Sequence, residues 1–166
     1  QTCALPILTL VKSQTIGTAV SSITVTGAFS STYDNYLIVV SGGTLSGNVN
    51  MNLQLGSTTS GYYQLSIYGG SNSSALNGDN YNNTSAFQYP VSGGSAGVFG
   101  VIELFAPNLA APTALIAYSN RLASGTISWI QGAESSSTQH TAFTLTVGGS
   151  QTATGGTIRV YGYAVS

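Results

Sequence analysis

Charge is what this chain most lacks. Three Lys or Arg and four Asp or Glu make up 4% of its 166 residues, where an average soluble protein carries roughly 25%. With a formal net charge of -1, the molecule has no field that would gather nucleic acid or anionic lipid, so neither is expected as a partner. An almost uncharged surface offers little repulsion between copies, which suits a protein that assembles. It equally suits an extracellular protein kept soluble by hydroxyls and amides. Cys3 is the only cysteine, which excludes an intrachain disulfide and a cysteine-based metal site. His140 is the only histidine, and zinc needs more ligands than that. No apolar run nears the roughly eighteen residues of a membrane-spanning helix. LPILTLV is far too short, and no signal-peptide layout follows it.

Helical signal is missing as well. No stretch keeps apolar residues at i, i+3, i+4 and i+7, and 21 glycines argue against helices. QTCALPI reads as the translation of a sequencing-adapter oligonucleotide (CAG ACG TGT GCT CTT CCG ATC). Gln1 to Ile7 are therefore expected to be an artefact or a disordered arm, and residues 8–166 a single domain.

What is present is period-two alternation in short runs. Val49, Met51, Leu53 and Leu55 alternate with Asn48, Asn50, Asn52 and Gln54; Leu145 and Val147 alternate with Thr144 and Thr146. Ile158 and Val160 flank Arg159, which is expected to point outward from a strand whose other face is core, its stem along neighbouring Tyr rings. Further strands are expected at Ile23 to Thr26, Tyr36 to Ser41, Tyr62 to Tyr68, Phe87 to Val91, Val98 to Phe105, Ala114 to Tyr118 and Thr126 to Ile130. Gly-Gly pairs at 42, 69, 93, 148 and 155 mark turns. This spacing predicts an all-β fold, an antiparallel two-sheet sandwich. Tyr36 to Val40 and Val98 to Phe105 are nearly continuous apolar runs, as in strands covered on both faces, here by a neighbouring subunit. Ser71 to Ser85, SNSSALNGDNYNNTS, lacks strand character and reads as a long loop of functional type.

Chemistry is hard to find. The acids Asp34, Asp79, Glu103 and Glu134 are dispersed, with no motif supporting a glycosidase pair. His140, in SSSTQHTAF, reads as a solvated loop residue rather than a base, and no GxSxG elbow is present. NGDN around Asp79 could offer oxygens to calcium, but an Asx turn explains the same residues. The chain is expected to be no enzyme and to hold no metal or cofactor. Binding surfaces are a different matter. Tyr62, Tyr63, Tyr68, Tyr81 and Tyr89 bracket or occupy the long segment and could stack on sugar rings, a candidate glycan or receptor contact; Tyr is also simply a preferred strand residue. Asn72, Asn82 and Asn83 begin N-x-[ST] sequons, which matter only in a glycosylating host. Arg159, Tyr161 and Tyr163 are of types enriched at interfaces and form a candidate subunit contact.

Four stretches in order carry a resemblance. YDNYLIVVSG (Tyr33 to Gly42) is similar to a turn feeding an apolar strand, and NLQLGSTTSGYYQ (Asn52 to Gln64) to the strand pair that follows. VIELFAPNLAAPTALIAYSNR (Val101 to Arg121) resembles a middle pair joined by a Pro-bearing turn, and GGTIRVYGY (Gly155 to Tyr163) a closing strand. Together, from about Ile23 onward, they resemble the small jelly-roll virion structural proteins of tailed phages. That resemblance implies a surface-exposed tail fibre, spike, head fibre or decoration module, extracellular on the virion. Its partners would be copies of itself (commonly as trimers), other virion proteins and a host surface glycan. It carries no catalytic residues to transfer. The alternatives are a secreted carbohydrate-binding module or adhesin, and an extracellular filament subunit.

Overall fold

Short alternating runs cannot bury their apolar side alone, so they pair edge to edge and then face to face. The computed structural model describes residues 8–71 and 75–163. The expected artefact at residues 1–7 and the Asn72 sequon lie outside them. Fourteen strands follow one another: β1 (Leu8–Thr15), β2 (Ser22–Val25), β3 (Asn35–Ser41), β4 (Thr44–Leu45), β5 (Val49–Leu55), β6 (Tyr62–Gly70), β7 (Asn77–Thr84), β8 (Phe87–Gly94), β9 (Gly97–Phe105), β10 (Thr113–Arg121), β11 (Thr126–Glu134), β12 (Phe143–Val147), β13 (Ala153–Thr154) and β14 (Thr157–Tyr163). A single 3-10 turn, Leu122–Ser124, is the only helical element among the described residues.

Two antiparallel layers result. The large one runs β1-β14-β3-β9-β10-β11-β6-β7, and the small one β2-β12-β5-β8. The β8–β9 hairpin joins their hydrogen bonding into one twelve-stranded sheet folded over on itself. At that fold a Cβ on Gly100 would lie 2.7 Å from Val91 Cγ2 and 2.9 Å from the Pro90 carbonyl, so only glycine lets β8 pass so close. The chain changes layer repeatedly: β2, β5, β8 and β12 are in the small layer, and β3, β6–β7, β9–β11 and β14 in the large one. That is jelly-roll connectivity, and the expected β-sandwich stands. β4 and β13 pair separately as a two-residue ribbon.

The core lies between the layers. Tyr36, Ile38 and Val40 of β3, Ile102 and Leu104 of β9 and Ile158 and Val160 of β14 meet Ile23 and Val25 of β2, Met51, Leu53 and Leu55 of β5 and Phe143 and Leu145 of β12, all buried. Each such side chain contributes roughly 1.5–3 kcal/mol by leaving water. Phe29 bridges the layers, edge-on to Tyr36 at 4.9 Å and stacked on Phe143 at 5.7 Å. The Tyr36 hydroxyl donates to the Ser30 carbonyl (2.8 Å) and accepts from the Ser30 N–H (2.7 Å), pinning the turn before β3.

Four strands lie outside the sequence reading: the two-residue β4 and β13 and the longer β1 and β7. The Gly-Gly pairs at 69 and 93, expected as turns, are the last residues of β6 and β8. β1 had no alternation to reveal it; it forms because β14 offers a free edge, with a bulge between Leu10 and Lys12. The segment Ser71 to Ser85, expected as a loop, contains β7. Its NGDNYNNT run has little strand propensity, but its backbone bonds to β6 and its Asn side chains suit a wet edge. Asn83 sits at φ 54°, a conformation Asn tolerates, and its Oδ1 accepts from the Gly61 N–H at 2.8 Å. NGDN is therefore strand, not the Asx turn expected.

Candidate functional site

In β6 the amphipathic pattern is turned inside out. Tyr62, Gln64 and Ser66 face the interior, each at most 5% exposed, while Leu65 and Ile67 face outward at 63% and 52%. The adjoining β11 repeats this, with Ile127 at 62% and Trp129 at 49% exposed beside the inward Ser128. A one-residue slip would reverse the arrangement, and specific bonds prevent it. The Gln64 amide donates from Nε2 to the Gln88 carbonyl and accepts at Oε1 from the Gln88 N–H, both at 2.8 Å. The buried Tyr62 hydroxyl accepts from the Leu55 N–H at 2.9 Å.

Strand register then lines up the outward residues in rows across the large layer. One row is Arg159–Val39–Val101–Tyr118–Trp129–Ile67; the next is Tyr161–Leu37–Glu103–Ile116–Gln131–Leu65. Tyr118 and Trp129 stack at 6.1 Å and 22°. The expectation for Arg159, Tyr161 and Tyr163 holds in placement: all three are half-buried on the outer side of β14. Tyr163 Oη donates to Glu103 Oε1 at 3.2 Å, and its phenol is pushed up first by desolvation and then by the Glu103 charge and hydrogen bond. Glu103 and Arg159, on either side of β3, are the charged side chains on this face among the described residues. The six strands that carry these rows, five inter-strand steps of about 4.8 Å with about seven residues each, give an outer face of about 24 by 23 Å, or about 550 Å².

The five tyrosines read as one contact region are split. Tyr62 is wholly buried, and burial pushes its phenol up to about 12, with the Leu55 N–H opposing and Glu134 adding; it cannot touch a ligand. Tyr63, its neighbour on β6, faces the other way onto the outer surface at 44% exposure. Only Tyr68, Tyr81 and Tyr89 share a neighbourhood, on the inner side of the β6–β7 edge, where Tyr81 meets Tyr89 edge-on at 5.8 Å. Period-two alternation separates 62 from 63, a signal present in the sequence; Tyr81 comes to the side of Tyr68 only through the register of β7 on β6.

His140 also departs from expectation, at 2% exposed. Its Nε2 lies 3.1 Å from Glu134 Oε2, an ion-pair geometry with both side chains out of water. The Ser136 N–H donates to Glu134 Oε1 (2.7 Å) and the Ser136 hydroxyl to Oε2 (3.0 Å). The His140 N–H donates to the Pro107 carbonyl, and Asn108 Nδ2 donates to the His140 carbonyl. The hydroxyl is thus held by the carboxylate and not by the imidazole. A nucleophile–base–carboxylate relay needs the imidazole in the middle, so the group works as a lock on the loop after β11. No protein-family model matches the chain, and no characterised protein matches it in sequence.

Proposed function

We propose that this chain is a non-enzymatic structural module of a phage-type virion surface, and that it works by packing the outer face of its large layer against the same face of a second copy. The observation that carries this reading is the inversion in β6 and β11, where apolar residues face outward over a polar interior. A mainly apolar face of this size is at the upper end of what a chain that acts alone exposes. Its extent is that of a small interface, below the about 800 Å² per partner of a standard one.

A second copy is the occupant because the face complements itself. Glu103 and Arg159 carry opposite charges on either side of β3. A two-fold axis through β3, inclined to the strand so that it bisects the line from Arg159 to Glu103, sets each against its opposite number on the other copy, the reciprocal pairing of an isologous interface. Two such sheets stack about 10 Å apart, as within a sandwich. The virion assignment is supported by the ordered motifs from Tyr33 to Tyr163 and by the jelly-roll connectivity. Sedimentation equilibrium across 1–500 µM tests the assembly, with a concentration-dependent dimer expected; a monomer at every concentration refutes it. Mass spectrometry of purified virions whose genome encodes the chain tests the location, and its absence from them would remove the virion reading while leaving the dimer.

A further inference from the structure

On the opposite side of the same strands lies a cleft of about 550 Å³, open along one side, between the inner face of β6, β7 and β11 and the end of β5. Small-molecule sites fall in this size range. Asn48, Asn50, Tyr68, Asp79, Tyr89 and Arg121 contribute to its lining. Arg121, the last residue of β10, is one of only three basic residues in the chain. One of its N–H donors is used, Nη2 to Asn50 Oδ1. Its buried Nε has no hydrogen-bond partner among the described residues. Among the described residues no carboxylate lies within ion-pairing distance of it. A guanidinium brings five donors in a planar fork, and Arg121 is half-buried, so part of that fork is withdrawn from water without a counter-charge.

The rest of the cleft suits sugar. Tyr68 and Tyr89 are half-buried and both line the cleft. Tyr89 is held at φ 67°, a position a bulky residue adopts only under constraint, and this turns it out of the regular β8 alternation beside Tyr81. Asp79 and the Asn side chains offer acceptors and donors for hydroxyls. Beneath them Asn50, Ser92 and Ser119 form a continuous polar floor, with Ser92 Oγ 2.8 Å from Asn50 Oδ1 and 3.0 Å from Ser119 Oγ.

We propose that this cleft binds a carboxylated sugar, with Arg121 taking the carboxylate, Tyr68 and Tyr89 flanking the ring and Asp79 accepting from its hydroxyls. This site is independent of the assembly face, since its residues point to the other side of the sheet. It would give an assembled module a hold on acidic polysaccharide.

The test is calorimetric titration of the full chain with tetramers of galacturonate, glucuronate and sialate, and with their methyl esters. At least one acid is expected to bind, and its ester at least about tenfold more weakly, because a charge-assisted fork is lost. Arg121→Gln is expected to weaken the acid by a similar factor at an unchanged melting temperature. Tyr68→Ala, a residue with no hydrogen bond to lose and outside the core, gives a second reading if Arg121→Gln does not fold, and is expected to weaken acid and ester alike. Equal affinity for acid and ester, no binding by any of the three acids, or unchanged binding in a folded Arg121→Gln or Tyr68→Ala chain overturns the proposal. Sedimentation of the same variants should show the dimer intact, which separates this site from the assembly reading.

Discussion

The two outward faces of the sandwich, large layer and small layer, are both nearly free of charge, yet they are built for different surroundings. On the small layer the register sets Thr24–Thr144–Gln54 in one row and Ser22–Thr146–Asn52 in the next. Thr24 and Thr144 share a hydrogen bond at 2.9 Å. On the large layer the equivalent rows carry Leu, Val, Ile, Tyr and Trp. Both layers cover the same core, so the requirement to fold cannot explain the contrast. Hydroxyls and amides satisfy water; on the proposed reading, the apolar face of about 550 Å² is covered by a second copy. In a chain with 4% charged residues, the two faces are therefore distinguished by Thr and Asn against Leu and Trp rather than by charge.

The sharpest break of that contrast is one carboxylate on each face. Trp129→Glu, at the stacked centre of the large layer, is expected to weaken self-association by at least about thirtyfold, the cost of losing a central aromatic anchor (~2 kcal/mol or more). Thr146→Glu on the small layer should leave the association constant within about twofold. Sedimentation equilibrium reads both; equal effects would erase the distinction between faces.

Next comes the device that keeps β6 inverted. Gln64→Leu removes the amide that satisfies both backbone groups of Gln88, leaving them buried and unpaired. A loss of roughly 1–3 kcal/mol in urea unfolding is expected despite the more apolar residue. A stabilised variant would mean that β6 is held by something other than its polar interior.

Tyr62 supports the same inversion from the other end of β6. Its phenol ionises at about 12 when folded, against an ordinary value near 10. The folded state thus favours the neutral form. Its contribution is complete below pH 10 and is lost as pH rises from 10 through 12. Tyr62→Phe should cost about 1–2 kcal/mol at pH 7, by orphaning the Leu55 N–H, and should flatten the decline above pH 10. The residual slope belongs to Tyr81 and Tyr163, whose phenols are also raised. Urea midpoints at pH 7 to 11.5 check both parts.

Which residues are strand was readable because alternation and Gly-Gly turns are local, and the strands at Val49 to Leu55 and Ile158 to Val160 have the faces expected. Alternation does not say which way a strand faces when both sides can be accommodated. In YYQLSIY the apolar set was free to point in or out, and the decision came from Gln88, more than twenty residues away. β7 escaped notice because its stability comes from β6 and not from its own Asn-rich residues. His140 looked solvated because its flanking residues are polar; the carboxylate that takes it inside sits six residues earlier, at the end of a strand whose length was underestimated. That Arg159 faces outward was legible from Ile158 and Val160 alone. The apolar rows that continue from it across five further strands were not, since they depend on register.

A smaller effect is expected from the charges on the large face. Glu103→Arg or Arg159→Glu alone places like charges together across the two-fold and should weaken association about tenfold. The double exchange should recover most of it, measured at low salt where exposed pairs are least screened. No recovery in the double variant would mean that the copies meet in another orientation.

The smallest effect belongs to the small layer, and its smallness is informative. Replacing Thr144 by Val removes the hydroxyl pair with Thr24 but keeps the β-branched shape that suits a strand. Both hydroxyls are in water, so neither is orphaned, and the expected change in unfolding free energy is within about 0.5 kcal/mol. Association should not respond at all, because one added methyl group does not make an apolar patch. If Thr144→Val nonetheless created a second mode of association, water-facing Thr would be guarding the small layer against its own copies, and the two faces would differ in degree of apolar coverage and not in kind.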